Sequence, residues 1–97
     1  MPSIYPNDYR ALIAMLVAAR KLKKITQVQL ATGMRVQQSF ISKVERGERR
    51  LDVVELLRMC ELLDVPMTSL LGAIPPRFSP LAANRKPVDS LTSQDDG

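Results

Sequence analysis

Polar and apolar residues along the first three quarters of the chain recur at intervals of three and four, which is the helical period, and no stretch alternates long enough to make a convincing strand. The pattern dissolves at Pro75. Four of the seven prolines fall between Pro75 and Pro87, and from there on Pro, Ser, Asn and Asp surround only scattered apolar side chains. The expected organisation is a compact helical body over residues 1–74 and a flexible, disordered tail over residues 75–97, in which Phe78 and Leu81 are the apolar residues available to a protein partner.

 Put simply, the body can bury a core and the tail cannot offset the entropy of ordering itself.

Within the body the stripes and caps predict five helices. The first starts after Pro6 with Asn7 as N-cap and runs to about Leu22, facing inward with Leu12, Leu16 and Ala19, flanked by Ile13. Thr26 with Gln29 fits a capping box, and Ile25 can staple onto Leu30, so a short second helix spans Gln27 to about Thr32. After a polar turn from Gly33 to Arg35, Val36 and Ile41 repeat the staple spacing around Gln37. They open a third helix that ends near Arg46, with Gly47 just past its end. Asp52 with Glu55 makes another capping box, stapled by Leu51 and Leu56, for a fourth helix burying Val53 or Val54, Leu57, Cys60 and Leu63. A last short helix near Met67 to Leu71 closes the body.

Charge sharpens this picture. Residues 1–50 hold ten bases and three acids, whereas residues 51–97 hold four bases and seven acids, so a basic first half points to a polyanionic partner, nucleic acid before an anionic membrane. The chain has no histidine and one cysteine, which leaves no zinc-ligand cluster, no Ser-His or Cys-His pair and no cofactor to expect, and a 97-residue chain is short for a catalytic cleft. The expectation is a non-enzymatic protein. Cys60 lacks an intramolecular partner and the start of the chain lacks a signal core, which favours a cytoplasmic protein. The longest apolar stretch, Ala11 to Ala19, is about half of the roughly 20 residues that span a bilayer, so it reads as a core helix and no membrane partner is expected.

Two short helices joined by a tight turn on a basic surface have the arrangement of a helix-turn-helix reader of double-stranded DNA. Ala31 sits where those helices cross, and Leu30, Met34, Val36, Ile41 and Val44 face the core, leaving Gln38, Ser39, Ser42, Lys43 and Arg46 outward on the third helix. Thr26-Gln27, Leu30-Ala31 and the run from Gln38 through Ile41, Ser42, Val44 and Glu45 to Arg46-Gly47 resemble the Cro and phage-repressor type helix-turn-helix family, also called Xre. The resemblance covers about Leu12 to Leu71. It implies an all-α, five-helix, lambda-repressor-like domain that binds DNA as a homodimer and regulates transcription. A repressor on a palindromic operator is the simplest such function; an antitoxin whose tail holds a partner, or a restriction-modification controller, would use the same domain.

Gln38, at the start of the third helix, has the amide geometry to pair with adenine N6 and N7, and Lys43, Ser39 and Ser42 complete a candidate base-reading set. Gln27 at the start of the second helix, Arg35 and Gln37 in the turn, and Arg46, Arg49 and Arg50 beyond the third helix are the candidate backbone contacts. Arg20 and Glu45 occupy positions that pair in the family, tying the first helix to the end of the third. The family often has glycine where this chain has Arg35, so a left-handed turn there would carry a strain of about 1 kcal/mol. Packing is the default expectation for Phe40, and a buried, inert thiol for Cys60.

Overall fold

The computed structural model describes residues 5–76 and 78–81. Their secondary structure is five helices: α1 Pro6–Leu22, α2 Gln27–Met34, α3 Gln38–Glu45, α4 Val53–Leu63 and α5 Met67–Ala73. Pro6 is the first residue of α1, which moves the N-cap off Asn7. Its fixed φ and missing N–H suit the first helical position, so Tyr5 holds the N-cap site without a side-chain cap. Both capping boxes form reciprocally: Thr26 Oγ1 accepts from Gln29 N–H at 3.0 Å, and Asp52 Oδ1 from Glu55 N–H at 2.7 Å.

The α2 helix runs two residues past Thr32 because Gly33 continues it, and the missing side chain leaves room for Leu62 of α4, whose Cδ2 would lie 3.1 Å from a Cβ at Gly33. Arg35 then adopts the left-handed conformation, with φ 61°, and Val36 N–H donates to Ala31 C=O at 3.0 Å. The same six-residue closure ends three other helices, through Lys24, Gly47 and Asp64 at positive φ. After three of the four closures an apolar residue, Ile25, Val36 or Val65, turns back onto the core.

Leu12, Ile13 and Leu16 of α1, Leu30 and Ala31 of α2, Ile41 and Val44 of α3, Met59, Cys60 and Leu63 of α4, and Leu70 of α5 form one core. In this core α2 packs on α3 and α4, while α1 packs on α3, α4 and α5. Two expected stripes are corrected. Val53 and Val54 are 71% and 60% exposed and Leu57 is 38% exposed, because α4 turns Leu56 and Met59 inward instead, beside the expected Cys60 and Leu63. On α1, Ala19 is only half-buried, and Arg20 takes the buried position beside it. Lys23 donates to the carbonyls of Leu63 and Asp64, tying the end of α1 to the end of α4. No helix among the described residues is long and apolar enough to cross a membrane. Residues 82–97, most of the expected tail, lie outside the described residues; of the remainder, Phe78 meets Tyr5 edge to face, with ring centroids 6.3 Å apart.

Candidate nucleic-acid interface

Helix α3 is amphipathic over two turns. Ile41 and Val44 point into the core and Phe40 is half-buried, which leaves Gln38, Ser39 and Lys43 exposed on the opposite side. Ser42 is half-buried, and its hydroxyl donates to the Ser39 carbonyl at 3.2 Å, so of the four candidate base readers it has the least freedom. Gln37 is exposed at the N-cap position and makes no side-chain cap. Arg35 is exposed in the turn between α2 and α3.

A chain of hydrogen bonds joins the start of α3 to the interior. Gln38 Nε2 donates to Gln27 Oε1 at 2.6 Å, and Gln27 Nε2 donates to Glu45 Oε1 at 2.9 Å. Arg20 Nε and Nη2 then grip Glu45 in a fork at 2.6 and 3.0 Å, and Arg20 Nη1 donates to the Ile25 carbonyl at 2.8 Å. The Arg20 and Glu45 side chains are 9% and 13% exposed, so this ion pair is sheltered from solvent and fixed by additional hydrogen bonds. It crosses from α1 to the last residue of α3, while Gln27 bridges from α2. Each step orients the next: the buried arginine fixes the carboxylate, the carboxylate fixes the Gln27 amide, and that amide fixes Gln38. The family resemblance suggested the Arg20–Glu45 pair, but the Gln27 link depends on how α2 and α3 cross and has no signature in one sequence.

The three arginines after α3 are each engaged within the protein. Arg46 pairs with Glu48 at 2.9 Å, which raises the guanidinium pKa and holds the Glu48 carboxyl below its ordinary value, the hydrogen bond being the main cause. Arg49 pairs with Glu55 at 3.1 Å and lies over the Phe40 ring, 4.2 Å from its centroid. Arg50 turns toward α1 and stacks on Tyr9 at 4.3 Å. Sequence reading placed all three along a phosphate backbone but carried no sign of these aromatic seats, since Phe40 and Tyr9 come from different helices. Cys60 is buried, and burial pushes its thiol pKa up.

A family model for the helix-turn-helix matches residues 16–70. That span runs from the middle of α1 into α5 and includes every candidate side chain named above. No curated protein and no solved structure matches the chain.

Proposed function

The chain belongs to the Cro/C1-type, Xre-like helix-turn-helix family of sequence-specific DNA-binding transcriptional regulators, and from that premise we propose that it is a cytoplasmic, dimeric repressor occupying a near-palindromic operator. The observation that carries the reading is the fixed amide of Gln38 at the solvent-facing start of α3, held by Gln27 and, through it, by the buried Arg20–Glu45 pair. A bidentate amide presented from the N-terminal end of a recognition helix suits adenine in the major groove. Ser39 allows close approach, Ser42 supports the helix turn beneath it, and Lys43 reads a guanine edge or neutralises a phosphate. Arg35, Gln37, Arg46, Arg49 and Arg50 serve the backbone, with Arg46 and Arg49 exchanging a carboxylate for a phosphate on binding.

Gln38→Ala is expected to lose about 1 to 3 kcal/mol and to relax preference at one base pair. Gln27→Ala removes the side chain that orients Gln38, so it weakens all sequences and partly relaxes preference at that same pair. Sites selected from random duplexes, followed by competition between single-base variants, measure both effects. An unchanged preference profile in Gln38→Ala would remove Gln38 from the readout.

A further inference from the structure

An open cleft of about 660 Å³ lies between the outer side of α1 and the turn after α3, away from the base-reading side chains of α3. Ala14, Val17 and Ala18 line its apolar floor, and Arg10, Lys21, Arg46 and Arg50 contribute four cations to its lining. The acid lining it is Glu45, whose carboxylate already accepts from Arg20 and Gln27. Arg10, Ala14, Val17 and Lys21 share one face of α1, placing the two terminal cations about 16 Å apart along the helix axis. The surface therefore suits an extended occupant with carboxylates on either side of an apolar side chain, rather than a compact anion.

The chain carries such a segment. Val88 to Asp96 contains Asp89, Asp95 and Asp96, no base, and the apolar residues Val88 and Leu91. The edge-to-face contact of Phe78 with Tyr5 brings the chain back beside Pro6, which lines one part of the cleft. Seven residues separate Leu81 from Asp89, an extended reach of up to about 25 Å, longer than the roughly 16 Å between the cleft's two terminal cations. We propose that residues 88–96 dock in the α1 cleft of their own chain and compete with nucleic-acid phosphate for Arg46 and Arg50. Tethering supplies a high effective concentration, so weak individual contacts suffice. The competition rests on the DNA-binding reading above; the docking does not.

A nitroxide on Ser93→Cys in the full chain tests the docking without DNA, since buried Cys60 is shielded from labelling. The amides of Ala14, Val17 and Lys21 are expected to broaden, and to recover when Asp89, Asp95 and Asp96 are all changed to Asn. Absence of broadening overturns the proposal. So does broadening that appears in isotope-labelled, nitroxide-free chains mixed with nitroxide-bearing ones, which would assign the cleft to a second copy, or an amphipathic anion recovered from the purified protein and displaced on denaturation. The triple Asn variant is expected to bind a random-sequence duplex about 3- to 10-fold more tightly at low salt, and equally at high salt, where screening removes the competition. Equal affinity at low salt overturns the competition; failure of both proteins to bind any duplex defeats the DNA reading while leaving the nitroxide result to decide docking.

Discussion

Lys24, Arg35 and Asp64 hold left-handed backbone with φ between 56° and 61°, and only Gly47, among the four closing residues of this kind, lacks the Cβ that this conformation disfavours. A Cβ at Gly47 would meet nothing within 4 Å, so Gly47→Ala isolates backbone strain from packing. It is expected to destabilise the fold by about 1 kcal/mol, and Asp64→Gly to stabilise it by roughly half as much, both read by denaturant unfolding. The Lys23 bond to the Asp64 carbonyl uses backbone and survives the second change. These residues also mark a boundary of what one sequence reveals. Gly47 was legible as a helix end because glycine signals left-handed backbone. Asp64 carries no such signal, and Gly33 gave the opposite message, since it continues α2 to make room for Leu62.

At the scale of elements, the capping boxes were legible because each is a local four-residue circuit, and both form as spaced. The buried face of α4 was not legible: Val53, Val54, Leu56 and Leu57 offer two apolar stripes, and only the neighbours decide that Leu56 turns inward. The candidate interface divides the same way. Its outward residues follow from the period of α3, whereas the link through Gln27 follows from the crossing of α2 and α3. The Arg20–Glu45 pair binds that crossing to α1, and Glu45→Ala leaves the buried guanidinium without its carboxylate. A loss of about 3 kcal/mol in unfolding free energy is expected. Glu45→Gln keeps an acceptor for Arg20 and Gln27 and should cost less. If both variants unfold like the native chain, the pair is not the anchor of the interface.

For the whole molecule, the division of charge matters more than its total. The basic half contains α1 to α3 and the turn after them, whereas α4 and α5 lie in the half with an acidic excess, leaving Leu57 and Met67 beside a shared cleft remote in sequence from the recognition helix. Helix α4 also exposes Val53 and Val54, and α5 exposes Leu71. If these residues form the dimer surface, phosphate neutralisation and dimerisation are separable. Binding to the selected operator should fall with salt at a log-log slope of about 0.9 per phosphate neutralised. Leu57→Glu places a charge in the apolar surface without touching α3; it is expected to sediment as a monomer and to show about half the native slope, because each operator half-site is then bound separately. Gln38→Ala, by contrast, removes a base contact and should keep the native slope. A Leu57→Glu protein that remains dimeric with an unchanged slope would move the dimer surface away from α4, while equal slopes with a monomeric native protein would show that one copy suffices for binding.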